Sequence, residues 1–316
     1  MVKWTLLREA IILALVCFIN GLSHPVRCKS LFTEDLLESS SFCEAAGPAY
    51  LVAREYWMAR FLPDWRLPPG VCRALWEYAQ DHHIAADYDE YFAHNSLFEF
   101  DQAVLERHFR QPGLMVDLGC GTGRLLVPFA RRGFGALAVD LSTEMLHVVQ
   151  DKADEDDLDI DCLQANLVEL NCLADGIADY CILMFSTLGM IEGHTHRLRV
   201  LQHVHRLLKP GGLFIVHVHN RWYNLFDPQG RLWLLQNGWD ALRGRCDWGD
   251  RIGDYRGIPN MFLHVFTRRE FTRLLRSAGF RLKEVISLNT TRQHALEYPW
   301  FLGRLRANGW IAVCEA

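Results

Sequence analysis

The chain has 316 residues, half of them hydrophobic and 22% charged, and 33 Lys+Arg against 38 Asp+Glu give a formal net charge of −5. That length carries one large domain with an extension, or two small domains, and the composition excludes disorder as the default state. The acidic balance argues against nucleic acid as a partner, because a phosphate-coating protein needs a basic face. Arg268, Arg269, Arg273 and Arg276 are expected on the wet side of one helix. None of the ten cysteines forms a C-x-x-C pair, and no His/Cys set has zinc spacing, so no metal is expected. A chain of this length builds its core without disulfides, which places it in a reducing, cytoplasmic compartment.

The first element in chain order is the apolar run Ala10–Ile19, extended to Leu22 through Asn20 and Gly21. Three readings stand open. The run is short for a membrane span. It has the length of a secretory core, with Lys3 and Arg8 before it but also Glu9. It also reads as a buried helix. Membrane association through residues 10–22 is therefore the alternative to a cytoplasmic location. Residues 1–28 form this N-terminal hydrophobic segment. Residues 29–86 read as a helical extension punctuated by Pro48, Pro63, Pro68 and Pro69. It contains an aromatic stretch (Tyr50–Leu62) and a short helix over Val71–Ala79.

From residue 87 to 316 the pattern is that of one domain. Leu97–Phe109 is an amphipathic helix. Short apolar runs then alternate with helical stretches, which predicts βαβ units and a parallel sheet. The predicted strands are Leu114–Leu118, Gly135–Val139, Ile160–Gln164, Tyr180–Phe185, Leu213–His219, Arg281–Leu288 and Trp310–Glu315. Helices are expected near Arg124–Arg132, Thr143–Lys152, Thr195–Leu208 and Thr267–Ser277. The last opens on a Thr-x-x-Glu capping box (Thr267, Glu270) and stops before Gly279. The acidic run Asp151–Asp161 reads as a solvated connection. The fold class is α/β: an open, mostly parallel seven-stranded sheet with helices on both faces.

The strongest chemical signal is Met115-Val-Asp-Leu-Gly-Cys-Gly-Thr-Gly-Arg124. An apolar strand ends in Asp117, then Gly119, Gly121 and Gly123 lead into a helix. Glycines allow a tight turn and close approach of a ligand, and a helix N-terminus offers free amide donors. Asp140 ends the next strand, where neighbouring strand ends face a common crevice and a carboxylate can accept both hydroxyls of a ribose. A nicotinamide dinucleotide turn wants G-x-G-x-x-G, and Arg124 occupies its third glycine position.

With Asp before G-x-G-x-G, the chain resembles the Rossmann-like (class I) methyltransferases that use S-adenosylmethionine. The resemblance covers roughly residues 87–316 and continues in order through Val139–Ser142 with Met145, Leu163–Leu167, Ile177–Ile191 and Leu207–Leu213. It implies S-adenosylmethionine as cofactor, held by Asp117, Gly119, Cys120, Gly121, Gly123, Asp140, Leu141, Asn166, Leu167 and Phe185. Asp117 would take the methionine ammonium, Asp140 the ribose hydroxyls, and Leu141 the adenine face. Asn166 stands where the family usually has Asp and would accept from the adenine amino group. The fourth-strand segment with Asp179 and Phe185 would meet the methionine end.

The donor sulfonium is already activated, so such an enzyme mainly positions and desolvates the reactants. These motifs therefore name no catalytic base. The catalytic candidates are His219 and Tyr91, beside His217, Asn220, Tyr88 and His94. His217 and His219 alternate along one strand and share a face. The Trp-rich stretch 221–260 reads as an insertion: a lid for an apolar or planar substrate, or a cap whose tryptophans make their own small core. The expected reaction is methyl transfer to an O or N atom of a small molecule. One alternative is RNA, because Leu263–Thr267 with Glu270 resembles a segment of tRNA wobble-uridine methyltransferases. Another is a non-catalytic binding module, which would need neither the glycine turn nor Asp140. The oligomeric state is not readable.

Overall fold

The computed structural model describes residues 62–92 and 97–316, and the readings of residues 1–61 lie outside the described residues. The strands are β1 (Leu114–Leu118), β2 (Gly135–Asp140), β3 (Ile160–Gln164), β4 (Ala178–Leu183), β5 (Leu208–His219), β6 (Asp250–Tyr255), β7 (Ile258–His264), β8 (Arg281–Ser287) and β9 (Gly309–Glu315). Seven of them form one sheet in the order β3-β2-β1-β4-β5-β9-β8. β1 to β5 are mutually parallel, and β9 runs antiparallel to both β5 and β8. The strand order reverses between β1 and β4, and the crevice opens there, beyond their C-terminal ends.

Side-chain alternation divides the core between the two faces. Val116 and Leu118 of β1 pack with Val200, Leu201 and Val204 of the helix His194–Leu207 and with Phe271, Leu274 and Leu275 of the helix Arg268–Ser277. Met115 faces the other way, with Val104 and Leu105 of the helix Leu97–His108 and Leu146 and Val149 of the helix Thr143–Glu155. This two-sided cover is why the central strands β1 and β2 read as apolar runs rather than as alternating patterns. Helices therefore cover both faces, as the alternation predicts.

The differences from expectation are local. β4 stops at Leu183 because Phe185 and Ser186 adopt left-handed backbone, φ 55° and 63°. β5 starts at Leu208, with Lys209–Gly212 bulged out between Ala178↔Leu208 and Tyr180↔Leu213. The run Asp151–Asp161 is a connection only in its middle, since the preceding helix continues to Glu155 and β3 begins at Ile160. The Thr267–Glu270 capping box is present, and all four arginines of that helix are exposed.

The stretch 221–260 is built from a 3-10 helix (Arg221–Phe226), the helix Pro228–Leu242 and most of the β6–β7 hairpin, which runs on to His264. Asp227 caps the helix through Gly230 N–H, and Pro228 stands in its first turn. Leu234 and Asn237 face inward, whereas Leu232, Leu235, Trp239 and Leu242 are exposed. Trp222 meets Trp248 edge to face at 5.9 Å, so part of the expected tryptophan core exists.

The hairpin turns on Arg256 and Gly257, both at positive φ (49° and 81°), the geometry that suits a two-residue turn. A charge network locks its base. The buried His264 lies 2.7 Å from Asp250 Oδ1 through Nδ1 and 2.7 Å from Glu270 Oε1 through Nε2, and Arg221 donates to Glu270 Oε2 at 2.6 Å. Arg197 joins the network through Asp247 at 3.0 Å. Gly189 lets this base close on the main sheet, because a Cβ there would lie 2.5 Å from the His264 carbonyl oxygen.

Candidate active site

The turn after β1 takes its shape from three glycines in left-handed backbone: Gly119 at φ 73°, Gly121 at 53° and Gly123 at 72°. Gly119 N–H donates to the Val139 carbonyl at 2.7 Å, which ties the turn to β2. The site of the missing Gly119 side chain is filled by Thr187, whose γ-methyl carbon would lie 2.7 Å from a Cβ. A side chain at this position would therefore meet both backbone strain and a neighbour.

Two acids converge on this turn. Asp140 accepts from Gly121 N–H at 2.8 Å and from Ser142 N–H at 2.9 Å, so one carboxylate holds the glycine turn and the start of the next helix. Burial raises its carboxyl, against the lowering effect of those amides. Asp117 is 4% exposed. Burial first, and the charge of Asp140 second, push its carboxyl up to about 8. Two buried carboxyls, one raised by the charge of the other, form a place that favours a cationic or hydroxyl-rich ligand.

The outer wall of the turn is a salt-linked knot. Thr122 Oγ1 donates to Asp89 Oδ1 at 2.6 Å, Lys152 Nζ pairs with Asp89 Oδ2 at 2.5 Å, and Arg124 stacks over Phe98 at 3.8 Å. Arg124, where a dinucleotide turn would have glycine, thus anchors the helices that precede β1. A roof of tyrosines lies above. The Tyr88 ring is the nearest side chain to the open face of Gly121, at 3.8 Å from a hypothetical Cβ. Tyr78 and Tyr255 pack 5.9 Å apart, and Arg256 from the hairpin turn lies over Tyr88 at 5.4 Å and Tyr91 at 4.6 Å. The negative charge of Asp140 reaches both Tyr78 and Tyr88, which places them on the same crevice.

The remaining expected residues divide into those at the crevice and those elsewhere. Leu167 is buried, and Leu141 lies beside Ser142 at the end of β2. Cys120 is half-buried and its thiol donates to the Gly121 carbonyl. Asn166 caps a 3-10 turn: its oxygen accepts from Val168 N–H at 3.2 Å, and its amide donates to the Pro69 carbonyl at 3.0 Å. One oxygen lone pair remains for any other donor, and the segment at Pro69 covers this residue. Tyr91, a catalytic candidate from the sequence, is 61% exposed on the outer side of the roof, and it is Tyr88 that lies against Gly121. Asp179 lies at the opposite end of its strand, held by Lys209 Nζ at 2.8 Å and by Leu114 N–H at 2.9 Å. His94 lies outside the described residues.

The ends of β4 and β5 carry a second polar group. His217 and His219 share a face, with ring centroids 5.0 Å apart. His217 is fully buried with neither ring nitrogen hydrogen-bonded. Burial and then the charge of Arg292 hold His217 well below its ordinary range and push His219 down to about 3, so both rings are neutral. Phe185 packs on Phe98 at 4.5 Å and under Arg292 at 5.3 Å. Sequence reasoning missed Arg292 and Asp101, because a lone arginine in a loop and a lone aspartate on a helix carry no spacing signal.

The chain is similar to known methyltransferases. A family model described as a methyltransferase domain matches residues 115–212. YqeM of Bacillus subtilis (strain 168) is 29% identical over 64% of this chain and 87% of its own length. A ubiquinone biosynthesis O-methyltransferase of Caulobacter vibrioides is 32% identical over 40% of this chain and 48% of its own. The chain spans about half the length of most of the curated relatives it matches. Among solved structures, an S-adenosylmethionine-dependent methyltransferase of Methanosarcina mazei superposes with TM-score 0.54 at 18% identity, covering 67% of this chain and 96% of that one. At that identity the likeness is one of fold.

Proposed function

The chain belongs to the class I S-adenosylmethionine-dependent methyltransferases, and from that premise we propose that it transfers a methyl group from S-adenosylmethionine to an O or N atom of a small-molecule acceptor. The observation that carries this reading is the convergence of Asp117 and Asp140 on a left-handed glycine turn at the switch point of the sheet. The name of the Caulobacter relative supports a small-molecule acceptor. The domain reading, residues 87–316 with an insertion at 221–260, belongs to the same proposal.

In this reading Asp140 holds the ribose diol, with Tyr88 closing over it. Asp117 takes the methionine ammonium. The backbone of Gly119, Cys120, Gly121 and Gly123 approaches the cofactor closely. Leu141, Leu167 and Asn166 line the adenine, and Phe185 lies at the methionine end. The cofactor supplies an activated methyl group. The acceptor lone pair forms the new bond to the methyl carbon as the carbon–sulfur bond breaks, leaving a neutral thioether. The protein's part is to orient the partners in line and exclude water. His219 is neutral, at the end of β5 and hydrogen-bonded to Asn308, and its second ring nitrogen is the one that can orient an acceptor O–H or N–H. Its depressed proton affinity makes it a weak base, and the acceptor's proton leaves to solvent.

Calorimetric titration with S-adenosylmethionine and, separately, NADH tests the reading. Saturable binding of the sulfonium compound only is expected, weakened roughly thirty-fold by Asp140→Asn, the loss of a charge-assisted hydrogen-bond pair. A folded protein that binds NADH, or neither compound, would overturn it.

A further inference from the structure

Arg292 stands at the tip of the loop between β8 and β9, and the fold goes to some length to bring its side chain inward. The loop closes through the Leu288↔Ala295 bridge and a bond from Arg292 N–H to the Asn289 carbonyl at 3.1 Å. Arg292 itself is at φ 62°, a left-handed conformation disfavoured for a non-glycine residue. The residue is nevertheless 8% exposed.

Inside, the guanidinium finds little to bond. Its Nε and Nη2 have no hydrogen-bond partner. The nearest carboxylate is Asp101 on the helix Leu97–His108, 1% exposed, with Oδ2 at 3.7 Å from Nη2, too far for a hydrogen bond. Asp101 Oδ2 is likewise without a hydrogen-bond partner. The other titratable groups that feel Arg292 are His217, His219 and Tyr255, all neutral. Burial lifts the Asp101 carboxyl to about 7 in spite of Arg292, so near neutrality the guanidinium is only partly compensated. A buried arginine with orphan donors is costly unless an anion completes it.

The position gives that anion its meaning. Arg292 lies over the Phe185 ring, at the end of β4, and acts on His219, at the end of β5. This is the acceptor side of the crevice in the function proposed above, on which the inference rests. We propose that Arg292 is the anchor for a carboxylate, or a comparable planar oxyanion, carried by the methyl acceptor, and that Asp101 is its loose partner in the empty site. The fork of guanidinium donors matches such a group in a bidentate way that Lys would not reproduce. The aromatic pair Phe98–Phe185 beside it suits a planar acceptor body. Arg292 holds the acceptor's far end and takes no part in the methyl displacement.

The test uses the full chain saturated with S-adenosylhomocysteine and titrated with benzoate or its neutral analogue benzamide. Benzoate is expected to bind and benzamide to bind roughly thirty-fold more weakly or not at all. Arg292→Gln should lose the benzoate preference while still binding S-adenosylhomocysteine, which certifies its fold. Asp101→Asn should tighten benzoate, because it removes the competing anion; a merely structural ion pair would not respond this way. Arg276→Gln, on the outer helix, should change nothing. Equal binding of the two probes, no binding of either, or a preference that survives Arg292→Gln overturns the proposal. Failure of the wild-type chain to bind S-adenosylhomocysteine would instead strike the methyltransferase reading.

Discussion

Asp117 lies next to the end of β1 with 4% of its surface exposed, and burial together with the charge of Asp140 lifts its carboxyl to about 8. At pH 6.5 this carboxyl therefore holds its proton until a cation approaches it. An ammonium group in the same place favours the carboxylate, so binding has to expel that proton. We expect S-adenosylmethionine affinity to rise by up to about tenfold per pH unit between pH 6 and 7.5. Calorimetry in buffers of different ionisation enthalpy should register one proton released. Asp117→Asn should bind weakly at pH 7.5 and show a much flatter profile. If the variant keeps the wild-type slope, Asp117 does not hold the ammonium, and the proton comes from another group.

Among the elements, the β6–β7 hairpin depends most on a few side chains. Its strand β6 is largely exposed, and its base is held where His264 bridges Asp250 and Glu270. His264 reaches a different carboxylate through each ring nitrogen, so its side chain clamps the hairpin base to the capped helix. Burial alone would raise the Glu270 carboxyl, but the bond and charge of His264, with Arg221, hold it below its ordinary range. Removing the clamp leaves two half-buried carboxylates without their shared partner. His264→Ala is expected to cost about 3 kcal/mol, or about 6–12 °C in Tm for a domain of this size. Amide exchange should accelerate first in β6 and β7. The exposed pair His82–Glu144 provides the contrast: His82→Ala should shift stability by no more than about 0.5 kcal/mol. Equal effects from the two substitutions would rule out the clamp.

This hairpin also shows where the sequence ceased to be readable. β1 matches its predicted bounds because an apolar run flanked by turn residues encodes it locally, and β3, half polar at the sheet edge, matches its bounds as well. The Thr267 capping box is legible for the same reason. The hairpin turn is Arg-Gly rather than Asn-Gly, and Pro259 inside β7 argues against a strand, so neither signal announced it. The helix Pro228–Leu242 carries Gly230 and Gly238 and apolar residues on its exposed side, which blurs the inward stripe. Of the candidate site, the glycine turn and its two acids follow from local pattern. Tyr88 rather than Tyr91, the capping role of Asn166, and the meeting of Arg292 with Asp101 depend on which elements pack together. No spacing in the chain records that.

For the whole molecule, the buried titratable groups fix how stability follows pH. Burial raises the carboxyls of Asp117 (to about 8), Asp101 (to about 7) and Asp140. In the unfolded chain these groups ionise near pH 4. Between that pH and their folded values the native state holds more protons, so each contributes stability that is lost as pH rises. The histidines act in the opposite sense. Burial lowers His217, His219, His203 and His108, and the unfolded chain protonates its histidines below about pH 6.5, so stability falls as pH drops below that value. From pH 4 to 6.5 the two slopes oppose each other. Above pH 6.5 only the carboxyls act, each removing up to about 1.4 kcal/mol per pH unit until its own folded value is passed. Asp179 and Glu270, whose carboxyls are lowered, have delivered their full contribution by then and add no slope. The empty protein should therefore be most stable near pH 6.5 and lose stability up to pH 8. Denaturant midpoints at pH 5.5, 6.5 and 8 would check this. Saturating S-adenosylmethionine, which in the function proposed above requires Asp117 ionised, should make the alkaline loss smaller, and so should Asp117→Asn. A midpoint that rises from pH 6.5 to 8 in the wild-type chain would mean that the crevice acids are already charged before any cofactor arrives.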